Sequence, residues 1–165
     1  MQKIIFLDID GVLNSDAWYQ KFWDQHLEKD SKFDYDLDPM AIDFLNEIKN
    51  AVPSVKIVIT STWRFDMDDT VSRLEAQGLE IPVIGSTSLK VHEDSYKPRG
   101  VLVKMWLDEN VKGTCNYVIF DDDIDFMLDQ KRNFIHTDSM KGLQMEDVYM
   151  AIAILRGDLI EKGKL

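Results

Sequence analysis

Cysteine is all but missing from this chain. Cys115 is the only one in 165 residues, so no intrachain disulfide can hold the fold. His26, His92 and His136 are the only histidines, and they lie too far apart for the close ligand spacing of a zinc site. Basic charge is short as well: 19 Lys and Arg stand against 30 Asp and Glu, a net charge of −11. That balance opposes long-range attraction to a polyanion, so extended nucleic-acid binding is not expected and small substrates are favoured. Long apolar runs are absent too. None approaches the roughly 18 residues a membrane span needs, and "KIIFL" is too short for a signal-peptide core. A cytoplasmic protein with no membrane partner is the expectation.

The 45% hydrophobic content is enough for a real core, and the length suits one domain spanning 1–165. "KIIFL", "VKIVIT", "IPVIG", "NYVIF" and "NFIH" read as short buried strands. Between them run amphipathic segments: Ala17 to Glu28, the stretch after Asp38 and Pro39, Asp68 to Gln77, the stretch after Pro98, and Gln144 to Leu155. "EKDSKFDYD" reads as a loop, and the charged end after Arg156 as frayed. Strands alternating with helices predict an open α/β sheet, mostly parallel, whose ligands bind beyond the carboxyl ends of the strands. At three such ends the sequence places Asp8 and Asp10, Thr60 to Thr62, and Asp121 to Asp123.

Clustered carboxylates repel one another unless a cation sits among them. Magnesium suits such a site, because it takes oxygen ligands and keeps waters or a phosphate in the remaining positions. A calcium loop of the EF-hand kind does not fit, since "DIDGVLNSDAWY" lacks the further acidic ligands it requires.

"FLDIDGVLN" resembles the first motif of the haloacid dehalogenase (HAD) superfamily, "ITSTWR" its second, Lys97 in "YKPRG" its third and "VIFDDDIDF" its fourth. The second motif, followed by "RG…WL" and "DDD", is similar more narrowly to small HAD domains of RNA-repair proteins and to bacterial and phage HAD phosphatases. "KGLQMEDV" is similar to the tail of that group. The resemblance implies an HAD-like Rossmannoid three-layer sandwich with a mostly parallel central sheet. It also implies a magnesium-dependent phosphomonoesterase working through an aspartyl-phosphate. Asp8 would be the nucleophile and Asp10 the group that protonates the leaving oxygen and then activates water. Asp8, the Asp10 carbonyl and Asp122 would hold Mg2+, with Asp121 next in line. Ser61 would bind the phosphate, with Thr62 as its runner-up. Lys97 would supply the third-motif positive charge, ranked ahead of Arg99.

Trp63 reads as packing that buttresses the loop. Arg64 is open between a partner for carboxylates and a substrate contact, and Asp125 between an anchor for the fourth-motif loop and a solvated aspartate. Asp66, Asp68 and Asp69 favour a helix N-terminus, and His136 to Asp138 a capping role. Trp18, Tyr19, Phe22 and Trp23 could stack on a base, but their helical spacing favours a packing face.

Members of the superfamily select substrates with caps inserted between motifs. Here the intervals are filled by the elements already placed, which leaves 15–37 as a candidate flap or minimal cap and predicts an open site. A phosphorylated small molecule or a nucleic-acid end phosphate is the expected substrate. The alternatives are a sugar or nucleoside phosphatase and a catalytically idle HAD domain that serves as a binding module. A receiver domain fits poorly, because its phosphoacceptor aspartate ends the central strand, where this chain has "VITST". The sequence carries no signal for an oligomeric state.

Overall fold

The computed structural model describes residues 1–26, 37–87 and 97–158, without the side chains of 22–26. The "EKDSKFDYD" loop, residues 27–36 of the candidate flap, the packing of Phe22 and Trp23, and the tail beyond 158 fall outside the described residues.

Five parallel strands form one sheet in the order β3-β2-β1-β4-β5. They are β1 (Gln2–Leu7), β2 (Val55–Ile59), β3 (Val83–Ser86), β4 (Cys115–Asp121) and β5 (Phe134–His136). The three inner strands carry the apolar runs, as strands covered on both faces must. Ile4 to Leu7, Ile57 to Ile59 and Val118 to Phe120 are all within 1% of full burial. The helices are α1 (Asp16–His26), α2 (Pro39–Ala51), α3 (Met67–Ala76), α4 (Arg99–Asn110) and α5 (Met145–Arg156). Asp38 caps α2 by accepting the Met40 N–H at 2.9 Å, with Pro39 in the first turn. A 3-10 turn over Thr62–Asp66 precedes α3, where the sequence pattern reads only a loop.

Side chains alternate between two cores. Ile5 and Leu7 of β1, Ile57 and Ile59 of β2, and Val118 and Phe120 of β4 pack with residues of α2, α3 and α5. Ile4, Phe6, Val58 and Ile119 face the other way, against Val103, Trp106 and Leu107 of α4. The Phe6 ring meets Trp106 and Tyr117 edge-on at 5.4 and 5.8 Å between centroids, a favoured aromatic geometry. The result is a three-layer α/β sandwich, as the sequence predicts.

The chain winds outward from β1 through β2 to β3, then crosses to the far side of β1 for β4 and β5. The winding therefore reverses between β1 and β4, which opens a crevice at their carboxyl ends. No helix among the described residues is long and apolar enough to cross a membrane.

Candidate functional site

Register brings the site together. Leu7 pairs with Ile59 on one side and Phe120 on the other, so Asp8, Thr60 and Asp121 are the next residues along three neighbouring strands. Because Leu7, Ile59 and Phe120 point into the α2 and α5 core, strand alternation turns the following three side chains toward the α4 side. Asp8 is 2% exposed and Asp121 fully buried. Each has one oxygen tied locally: Asp8 Oδ1 accepts the Ile9 N–H (2.8 Å) and Asp121 Oδ1 the Asp123 N–H (2.9 Å). Their other oxygens converge on Arg99, whose Nη1 donates both to Asp8 Oδ2 and, at 2.7 Å, to Asp121 Oδ2. Asp123 stands 3.6 Å from Nη2.

Arg99 is the first residue of α4, and what fixes it there is remote in sequence. Pro98 offers the helix no side-chain cap. Instead Asp125 Oδ2 accepts the Arg99 N–H at 2.9 Å and the Asp125 carbonyl accepts the Gly100 N–H at 3.2 Å. A carboxylate at a helix N-terminus is also favoured by the dipole. Buried Gln130 completes the joint, donating to the Gly100 carbonyl (2.8 Å) and accepting the Met127 N–H (2.9 Å). A Cβ on Gly100 would come within 2.7 Å of the Met127 nitrogen, so the close approach of α4 to this loop requires glycine.

Asp122 is half-buried, and its carbonyl accepts from His136 Nε2 at 2.8 Å. Its carboxylate packs over Gly11, which has φ +73 and whose added Cβ would lie 2.9 Å from the Asp122 Cβ and closer still to its Oδ2. Asp8, Asp121 and Asp122 each offer one oxygen, all within 4.8 Å of one another. Crowding shows in their ionisation. Burial first, then the Asp8 charge, pushes the Asp121 carboxyl up to about 7 even though Arg99 opposes the shift. Burial and Asp8 also raise Asp122. Burial works against the Arg99 charge, yet Asp8 and Asp121 outweigh it and lift the guanidinium above its ordinary range. A second cation would relieve what one arginine does not, and an all-oxygen donor set suits a hard divalent ion.

Asp10 stands apart. It is exposed, outside the trio, and held at both oxygens: Asn14 Nδ2 donates to Oδ1 at 2.8 Å and Trp63 Nε1 to Oδ2 at 3.1 Å. The turn that carries it folds back on itself, with Gly11 N–H donating to the Asn14 carbonyl (3.0 Å) and to Asn14 Oδ1 (3.1 Å). The Asp10 carboxylate is turned toward Asn14 and Trp63, and the group expected at the metal is the residue's backbone carbonyl.

Ser61 is buried and caps the 3-10 turn, its Oγ accepting the Trp63 N–H at 3.3 Å. Thr62 is exposed on the same turn. Thr60 Oγ1, in the row with Asp8 and Asp121, is buried and has no partner among the described residues. Arg64 is 7% exposed and donates from Nη1 to the carbonyls of Thr60 (2.8 Å) and Ser61 (2.9 Å), which makes it the brace of this loop. Lys97 is half-buried two residues before Arg99. Arg99 is the cation bonded to Asp8 and Asp121, and its charge also acts on Asp122.

Asn14 and Gln130 escaped the sequence reading, Thr60 was placed at the strand end without a role, and Trp63 was read only as packing. Asn14 alone carried a signal, being a polar residue in the tight turn after Gly11. A family model described as the HAD domain in Swiss Army Knife RNA repair proteins matches residues 4–148. No curated protein and no solved structure matches the chain.

Proposed function

The chain belongs to the HAD domains of the RNA-repair kind, and from that premise we propose that it is a magnesium-dependent phosphomonoesterase acting through an aspartyl-phosphate. One observation carries the reading. Two carboxylates on a single strand end sit in different surroundings, Asp8 among Asp121, Asp122 and Arg99, and Asp10 alone between Asn14 and Trp63. Carboxylates in unlike surroundings can take unlike roles.

Asp8 attacks phosphorus in line, forming a carboxyl–phosphate bond as the bond to the ester oxygen breaks. The Asp10 carboxyl gives its proton to that oxygen, which departs as the alcohol. Asp10, now a carboxylate, takes a proton from water as the water oxygen attacks the aspartyl-phosphate. Inorganic phosphate leaves and Asp8 is restored. Asp8, Asp122 and the Asp10 carbonyl, with Asp121 beside them, would hold Mg2+, which neutralises charge and orients the phosphate. Arg99 takes the role of third-motif cation, drawing the phosphate toward Asp8. The Ser61 and Thr60 hydroxyls are the phosphate donors, and the orphaned Thr60 Oγ1 gains a partner when phosphate is bound.

Membership among HAD domains of RNA-repair proteins favours a nucleotide or nucleic-acid end phosphate as substrate. The net charge of −11 favours a short end over a long polyanion. We read 1–165 as one catalytic domain, with 15–37 as its minimal flap, working in the cytoplasm. A phosphate-release screen across nucleotides, 3′- and 5′-phosphorylated oligonucleotides and sugar phosphates tests the reading. Release that needs Mg2+ and is strongest with nucleotides or oligonucleotide ends is expected. No release from any of them by the wild-type protein would overturn it.

A further inference from the structure

We infer that Trp63 and Asn14 are positioning residues that aim the Asp10 carboxyl at the leaving oxygen of the substrate. The inference rests on the general-acid role proposed for Asp10.

An exposed carboxylate needs no protein partner, because water satisfies it at little cost. Asp10 is exposed, yet both its oxygens are taken by side chains from different parts of the fold. Asn14 comes from its own turn and Trp63 from the 3-10 turn after β2, 53 residues away in sequence. Each holder is itself held. Asn14 is 2% exposed, and because its Oδ1 accepts the Gly11 N–H, its amide nitrogen is the end that faces Asp10. That nitrogen also donates to the Tyr19 hydroxyl at 2.8 Å. Trp63 is fixed through its N–H on Ser61 Oγ and through its carbonyl, which accepts from buried Thr70 Oγ1 at 2.9 Å. Its ring packs on the main core, with the Arg73 guanidinium 5.9 Å from the ring centroid.

The chemistry of the two holders is what a proton donor requires. Indole Nε1 and an amide nitrogen donate and cannot accept. They orient the carboxyl plane whether or not Asp10 carries a proton, and neither can take that proton away. Each oxygen keeps a lone-pair direction free, one for the proton and the other for substrate or water. A carboxylate left to rotate would spend part of its time pointing elsewhere, and misplaced catalytic groups lose rate steeply.

The test compares wild type with Trp63→Phe, which keeps an aromatic body and removes the N–H. Two substrates are used with saturating Mg2+: an aryl phosphate whose leaving group needs no proton, and glycerol 2-phosphate, whose alkoxide does. The readout is kcat/KM, which reports the steps through loss of the leaving group. General-acid catalysis contributes about 10²–10⁴-fold, so losing its aim is expected to lower the alkyl value by about tenfold or more. The aryl value is expected to stay within about threefold of wild type, on the same ground that its leaving group needs no acid. Adding Trp63→Phe to Asp10→Asn should change neither substrate further in single turnovers. Equal losses on both substrates, or additive losses in the double variant, would overturn the inference and leave the phosphatase reading standing. Wild-type protein inactive on both substrates and on every phosphate of the release screen would overturn both. Trp63→Met is run beside the first variant and is expected to give the same substrate ratio, so an early-melting Trp63→Phe does not decide the outcome.

Discussion

Removing the Arg99 guanidinium, as in Arg99→Ala, should destabilise the metal-free protein in a way that depends on pH. Asp8 and Asp121 are 2% and 0% exposed, and Arg99 is the cation between them. Taking one partner from a buried ion pair costs about 3–5 kcal/mol, mostly for the charge left behind. Protonation limits that cost here. The Asp121 carboxyl is raised to about 7 by burial and by Asp8, against the pull of Arg99, and loses that pull in the variant. Its folded pKa lies above the ordinary 3.8, so the folded state holds the extra proton between these values. Stability is therefore gained as pH falls through that window and lost as it rises. At pH 5 Asp121 is already protonated in wild type, and Arg99 pairs chiefly with Asp8. The expected penalty is about 3 kcal/mol at pH 8 and about 1 kcal/mol at pH 5. For a chain of this size these correspond to about 6–12 °C and 2–4 °C in Tm. Thermal unfolding followed by circular dichroism in EDTA measures both, and Mg2+ should restore part of the loss at pH 8. Equal Tm values at pH 8 without metal, or a gap that widens toward pH 5, would refute the reasoning.

Mg2+ alone should raise the Tm of wild type more at pH 8 than at pH 5, because protons on Asp121 and Asp122 compete with the cation; a shift independent of pH would count against these ligands. Thr60→Val should melt no lower than wild type, since its hydroxyl has no partner to lose, yet weaken inhibition by inorganic phosphate about fivefold, the worth of about one hydrogen bond. An unchanged inhibition constant would remove Thr60 from the phosphate site. Gly11→Ala should cost about 1–2 kcal/mol for its left-handed backbone, and more from the collision with Asp122. Denaturant unfolding and a Mg2+ titration would register both effects, and wild-type values in the two would contradict the packing described.

The sheet was legible because its inner strands are continuous β-branched and aromatic runs, which few other structures accommodate. Asp8, Asp10 and the Asp121 to Asp123 run were legible for the same reason, since each directly follows such a run. The roles within the site were not. Lys97 lies two residues before α4 and Arg99 opens it, and the Asp125 carboxylate that holds the Arg99 N–H is 26 residues away in sequence. The motif pointed to Ser61 and then Thr62, whereas strand register puts Thr60 in the row with Asp8. Asp10 and Asp8 look alike in sequence. What separates them is the Trp63 indole, brought across from the end of β2 by parallel pairing.

The central claim is that Asp8 carries the phosphoryl group during turnover. Rapid acid quenching of the protein with Mg2+ and an aryl phosphate, followed by peptide mass spectrometry, tests it most directly. A phosphoryl group on the peptide that contains Asp8, absent from Asp8→Asn, is the predicted result. Phosphate release that proceeds without that adduct and survives in Asp8→Asn would contradict the account.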